Sequence, residues 1–175
     1  MKNLGMLHVY TGTGKGKTSA ALGLALRAIG HKAKVIMICF MKGDPSYGEA
    51  QAFHYLPNFV IKQMGRDSFV NFRDPDPTDV RMAQEAWDEG KRILIAREAD
   101  VLILDEINLA MAKNLIDTKE VVAFLHDHRQ QTEVVCTGRE APPELIEEAD
   151  LVTDMQEVKH YFTSKNITIR DGIDH

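Results

Sequence analysis

The sequence predicts an α/β fold, a mostly parallel sheet flanked by helices and organised around a phosphate-binding loop. Three observations predict it. Thr11-Gly12-Thr13-Gly14-Lys15-Gly16-Lys17-Thr18 lies between an apolar run and an alanine-rich helical pattern, the strand-to-helix context such a loop requires. Lys34–Met41 and Ala99–Leu104 are near-continuous apolar runs, the mark of strands covered on both faces and hence of a parallel sheet. Helical patterns stand between the strand patterns, as in proteins built from alternating strands and helices. Together these predict a P-loop NTPase-like (RecA-like) single domain over residues 1–175.

Taken in order, Leu4–Tyr10 reads as a buried strand, and Ser19–Ile29 as a helix with Ala20, Ala21, Leu24, Ala25 and Ala28 at helical spacing. In the loop between them the glycines let backbone N–H groups converge on an anion, and the first helical turn adds its positive end. Lys17 supplies a mobile charge and Thr18 a hydroxyl for Mg²⁺. Gly12, Thr13, Gly14, Lys15, Gly16, Lys17 and Thr18 are therefore the candidate polyphosphate-binding residues. Thr11 stands where the strict G-x-x-x-x-G-K-[ST] pattern has its first glycine, and the competing reading is a glycine-rich turn with two solvated lysines.

After Gly30, Lys34–Met41 is a strand, Lys42–Gly48 is dense in turn residues, Glu49–Leu56 is a short helix and Phe59–Met64 another strand. Lys42 and Glu49, beyond a strand end, either face the nucleotide or are solvated loop charges. Gly65–Asp76 lacks periodicity and carries Phe69 and Phe72. Asp76 is the expected N-cap of a long helix with Pro77 first, and Val80, Ala83, Trp87, Gly90 and Leu94 face the sheet, Trp87 as core.

Ala99–Leu104 followed by Asp105-Glu106 looks like a Walker B strand. An apolar strand has no structural use for two acids at its tip, whereas Asp105 is placed to hold Mg²⁺ opposite Thr18. A helix from Asp117 carries a capping box, Asp117 with Glu120, and turns Val121, Val122 and Leu125 inward. His126 and His128 are off a common helix face, so no metal pair is expected. Thr132–Thr137 is a strand ending in Gly138-Arg139, and Arg139 is placed to neutralise phosphate charge. Glu144–Ala149 is a short helix, Leu151–Val158 the last strand, and a polar tail follows Lys159-His160-Tyr161.

At 175 residues with a net charge of −5, the chain suits one domain and excludes a broad nucleic-acid or membrane-surface footprint, so any anion site must be local. Cys39 and Cys136 show no metal or disulfide spacing and read as buried thiols in a reducing compartment. With no apolar signal segment and no run near about 18 apolar residues, a cytoplasmic protein is expected.

With these pieces in order, the chain resembles the ATP:corrinoid adenosyltransferases over nearly its whole length. The carriers are TGTGKGKTSAALGLALRAIGH from Thr11, FMKG at Phe40–Gly43, LILDEINLA at Leu102–Ala110, TGREAPPELIEEADLVTDM at Thr137–Met155, VKHYF at Val158–Phe162 and the closing DGIDH. Thr11 in place of glycine is similar to the family's own form of the loop. The resemblance implies alkylation of cobalt, in which Co(I) of a reduced corrinoid attacks the 5′ carbon of ATP and triphosphate leaves. Co(I) is so strong a nucleophile that no side chain need act as nucleophile or base, which leaves the protein to align, stabilise the leaving group and exclude water.

On that reading Lys17, Arg139 and a Mg²⁺ (or Mn²⁺) held by Thr18 and Asp105 stabilise the triphosphate, and Glu106 orients it. The triphosphate is implied to lie reversed relative to ordinary P-loop proteins, with its γ-phosphate deep in the loop. Phe69 and Phe72 are implied to contact the corrin, although the family's usual pair includes a Trp where this chain has Asn71; the alternative is that both simply pack under the loop. His160 orients a phosphate or the tail, or sits in the core. A homodimer and an electron donor such as a flavoprotein reductase are also implied. The rival readings are a small-molecule kinase or ATPase on the same fold, and a non-catalytic corrinoid and ATP-binding protein.

Overall fold

The apolar runs become the middle of a six-stranded sheet in which every pair is parallel. The computed structural model describes residues 3–68, 70–168 and 170–174. Its strands are β1 (Leu7–Thr11), β2 (Val35–Phe40), β3 (Phe59–Met64), β4 (Val101–Asp105), β5 (Glu133–Thr137) and β6 (Leu151–Asp154), in the order β3-β2-β4-β5-β1-β6. The helices are α1 (Lys17–Gly30), α2 (Gly48–Ala52), α3 (Pro77–Ala96), α4 (Ile107–Ala112), α5 (Thr118–His128), α6 (Pro143–Glu148) and α7 (Tyr161–Lys165), with a 3₁₀ turn at Phe53–Tyr55.

Every residue of β2 and β4 is buried, and alternate side chains enter two cores. Ile36, Ile38, Phe40, Leu102 and Leu104 pack with Trp87 and Leu94 of α3 and with Val121 and Leu125 of α5. Val35, Met37, Cys39, Val101 and Ile103 pack on the other side against Ala21, Ala25 and Ala28 of α1. Trp87 is core, as its helical spacing predicts, at 2% exposure.

Asp76 accepts from Thr78 N at 2.7 Å and Pro77 opens α3, the expected cap. At α5 only half of the predicted capping box forms. Asp117 accepts from Glu120 N at 2.8 Å, but the Glu120 carboxylate instead accepts from Trp87 Nε1 at 3.1 Å and Lys91 Nζ at 2.8 Å. The inward-facing indole N–H needs an acceptor, and that need overrides the local motif.

Other elements also differ from the sequence expectations, β1 starting at Leu7 instead of Leu4. The helix expected over Glu49–Leu56 splits into α2 and the 3₁₀ turn. The last strand stops at Asp154, paired with Thr11, because β1 ends there and offers no further partner. The chain then turns so that Met155 O accepts from Gly14 N at 2.6 Å, which lays this segment on the phosphate loop. Helices α4 and α7 are additions, too short to announce themselves by periodicity. Among the described residues no helix is long and apolar enough to cross a membrane.

Candidate functional site

Parallel register places the carboxyl ends of β1, β2, β4 and β5 along one sheet edge, with Cys39 beside Asp105, Leu104 beside Cys136 and Tyr10 beside Thr137. Ligands of open parallel sheets bind at such edges. The phosphate loop runs from β1 to Gly16, whose φ of 115° starts α1. Gly12 has φ 100°, and a Cβ there would lie 2.2 Å from Asp154 Oδ1 and 2.4 Å from Met155 O, so both conformation and space demand glycine. Thr11 Oγ1 accepts from Ala141 N at 3.2 Å, a bond that glycine lacks, and so ties the loop's root to the segment after β5.

Lys17 folds back over the loop and donates to Gly12 O at 2.8 Å and Gly14 O at 2.7 Å. Burial lowers its pKa, with Arg139 and Lys42 acting in the same direction against Glu106 and Asp105. Fully buried Asp105 is the hub. Its Oδ1 accepts from Thr18 Oγ1 at 2.8 Å and Thr137 Oγ1 at 2.7 Å, and its Oδ2 accepts from Lys42 Nζ at 2.6 Å. Thr137 Oγ1 also accepts from Glu106 N at 3.1 Å.

Burial works against the Lys42 ammonium, but the charges of Asp105 and Glu106 and the bond to Asp105 outweigh it and hold its pKa above the ordinary lysine value. Burial raises the pKa of Glu106, reinforced by Asp105 and opposed by Lys42. Asp105 and Thr18 are hard oxygen donors that fit Mg²⁺ or Mn²⁺ when phosphate and water complete the shell, and the ammonium on Asp105 Oδ2 marks a position that favours cations. Among the described residues no cluster of three or more His, Cys, Asp or Glu is set to hold a metal without such help.

Two cavities flank the loop. One, of ≈ 470 Å³, runs along Gly16, Thr18, Leu22 and Glu49 to Ile173; the other, of ≈ 400 Å³, is lined by Thr13, Gly14, Phe72, Glu106, Arg139 and His160. Lys15, Lys17, Lys42 and Tyr47 border both. Phe72 lines the second cavity and also packs against the main core. Phe69 lies outside the described residues. His160 is not a core residue: its Nδ1 accepts from Phe162 N at 3.0 Å and caps α7 at the cavity rim. Arg139 is exposed and, among the described residues, makes no hydrogen bond or ion pair.

Lys15 Nζ donates to Tyr161 OH at 3.0 Å, to Ile173 O at 3.2 Å and to the Asp174 carboxylate. Thr137, Tyr47, Tyr161 and Asp174 escaped the sequence reading. A hydroxyl ending an otherwise buried strand was the signal available for Thr137; the others carried none. The whole is a cradle of four cations, two of them paired with carboxylates of the chain, with a partly aromatic cavity beside it, suited to a polyphosphate and a second, flatter ligand.

The family model of the ATP:corrinoid adenosyltransferases BtuR, CobO and CobP matches residues 3–175. A corrinoid adenosyltransferase of Pseudomonas aeruginosa is 35% identical, the match covering 97% of this chain and 83% of the relative. That of Escherichia coli K12 is 34% identical over 98% of this chain and 86% of its own length. Among solved structures, the flagellar accessory protein FlaH of Methanocaldococcus jannaschii is similar with a TM-score of 0.58 at 14% identity, covering 87% of this chain and 71% of FlaH, a likeness of fold alone. The matched length and the motifs assembled at one sheet edge place the chain in a single family: it belongs to the ATP:corrinoid adenosyltransferases.

Proposed function

We propose that residues 1–175 form one nucleotide-binding domain that transfers the 5′-deoxyadenosyl group of ATP to Co(I) of a reduced corrinoid. A cobalt–carbon bond forms, the C5′–O bond breaks, and the oxygen leaves with its electron pair on inorganic triphosphate. The observation that carries the reading is the convergence of Lys15, Lys17, Lys42 and Arg139 beside the Asp105 hub, in a chain whose net charge is −5. So many cations in one place are needed where a leaving group concentrates negative charge.

Lys17 and Arg139 meet that charge, while Gly12, Thr13, Gly14, Lys15, Gly16 and Thr18 hold the phosphates through backbone N–H groups and side chains. Thr18 and Asp105 hold Mg²⁺ or Mn²⁺, which supplies further positive charge to the triphosphate oxygens. Lys42 and Glu106 orient the metal side of the site. Phe72 and Phe69 cover one corrin face, and His160 fixes the start of the tail. The reaction takes place in the cytoplasm, in a homodimer, with Co(I) formed from the corrinoid's Co(II) by one electron from a donor such as a flavoprotein reductase.

The test is incubation of the purified protein with ATP and chemically reduced cobalamin. A light-sensitive cobalt–carbon product and triphosphate, both dependent on corrinoid, are expected. ADP formed without corrinoid would support the kinase or ATPase reading instead.

A further inference from the structure

Asn108, in the first turn of α4, is fully buried and uses both amide hydrogens on backbone carbonyls. Its Nδ2 donates to Tyr10 O and to Gly138 O, each at 3.2 Å. Its Oδ1 is buried and, among the described residues, accepts no hydrogen bond. The amide orientation is fixed by its partners, since the flipped form would set an oxygen against two carbonyl oxygens.

A buried acceptor without a donor is a standing desolvation cost, which an apolar side chain of the same shape would avoid. What Asn108 supplies in return is a cross-link. Tyr10 immediately precedes the phosphate loop at Thr11, and Gly138 immediately precedes Arg139. Gly138 N also donates to Tyr10 O at 3.2 Å, so three backbone segments meet at this amide. Gly138 has φ 133°, and a Cβ on it would meet Asn108 Cβ and Leu109 N at 3.1 Å and Glu106 Oε2 at 3.2 Å. The start of α4 is thus pressed onto the residue from which the Arg139 loop departs. The Arg139 side chain makes no hydrogen bond or ion pair among the described residues, so its position relative to Lys17 is set by its backbone, held on one side at Gly138 by Asn108 and on the other at Ala141 by Thr11 Oγ1.

We propose that Asn108 is a positioning residue for adenosyl transfer, acting through Arg139: it locks the root of the Arg139 loop to the root of the phosphate loop, so that guanidinium and Lys17 keep one spacing about the departing triphosphate. The inference rests on the adenosyl-transfer reading and on the role given to Arg139 within it.

The experiment is a double-mutant cycle of Asn108→Leu and Arg139→Ala, following kcat, KM for ATP and thermal midpoint. Arg139→Ala should lower kcat by about 10²-fold or more, as loss of a leaving-group donor does. Asn108→Leu, nearly isosteric, should lower kcat by up to about 10²-fold through misplacement alone, with KM for ATP little changed. The double variant should be no slower than Arg139→Ala, because Asn108 then has no guanidinium left to position.

A double variant whose loss is the product of the two single losses would overturn the inference, as would Asn108→Leu at the wild-type rate. Arg139→Ala at the wild-type rate would overturn it together with the role given to Arg139, and that failure is visible without touching Asn108. Should Asn108→Leu not fold, Asn108→Ser, which keeps one donor hydrogen, takes its place in the same cycle. Its predicted loss is smaller and equally non-additive.

Discussion

Replacing Lys42 by methionine tests whether the Asp105 hub depends on a cation. Methionine keeps most of the volume and removes the charge that sits 2.6 Å from Asp105 Oδ2. The Asp105 side chain is 0% exposed and that of Lys42 20%, so the carboxylate is left in the interior with only its two hydroxyl donors, Thr18 and Thr137. Removing one partner of a buried pair costs about 3–5 kcal/mol, and the remaining hydroxyl bonds and the partly exposed lysine place this case near about 3 kcal/mol. For a chain of this size that is a fall of roughly 6–12 °C in thermal midpoint, at about 2–4 °C per kcal/mol.

The sign with pH is fixed by the raised pKa of Lys42: the pair's contribution is complete below the ordinary lysine value of 10.5 and is lost only as pH rises through the higher folded value. At pH 7 the whole effect should therefore be visible by calorimetry in chelator. Two controls sharpen it. Lys42→Met with Asp105→Asn should recover much of the loss, because a neutral amide needs no cation, and Mg²⁺ should raise the midpoint of Lys42→Met more than that of the wild type. A loss below about 1 kcal/mol, the range of exposed pairs, would refute the reasoning and make Lys42 a solvated loop charge.

Thr137→Val removes the hydroxyl shared by Asp105 and Glu106 N, and urea unfolding should show a loss of about 1–3 kcal/mol from the groups left unpaired. Asp174→Asn frees Lys15, whose side chain is 41% exposed; ATP should bind up to about fivefold tighter by calorimetry, the equivalent of the ceiling for an exposed pair. Glu106→Gln should stabilise the protein at neutral pH. Burial and Asp105 raise the Glu106 pKa, so wild-type stability falls as pH rises from 4.5 through the folded value, and the advantage of the variant should vanish below pH 4.5. Phe72→Ala should impair adenosylation starting from Co(II) more than from chemically made Co(I), whereas equal losses on both routes would assign Phe72 to packing.

Why some of this was legible in the sequence and some was not has a physical cause. Burial on both faces writes itself as an apolar run, so β2 and β4 were readable, and the tight strand-to-helix turn writes itself as glycine at Gly12 and Gly16, whose φ values are 100° and 115°. Polar residues whose meaning lies in a distant partner write nothing locally. Thr137 meets Asp105 across 32 residues, Asn108 meets Tyr10 across 98, and Lys15 meets Asp174 across 159. Glu120 shows the converse: its local motif promised a capping box, and an indole 33 residues away claimed the carboxylate.

The distant partners also explain how one sheet edge holds so many like charges. Three of the four cations rest on acceptors of the chain itself: Lys17 on the carbonyls of Gly12 and Gly14, Lys42 on Asp105, and Lys15 on Asp174. On the proposed reading a triphosphate would gain only the difference between its own oxygens and these acceptors, and that difference is not the same at each lysine. The partly exposed Lys15 pair is screened and exchanges at little cost. The Lys42 pair is buried, so breaking it strands Asp105 unless a divalent cation arrives with the phosphates. Metal and nucleotide should consequently bind with positive coupling, whereas Arg139, whose side chain makes no hydrogen bond or ion pair among the described residues, would have no such acceptor to give up.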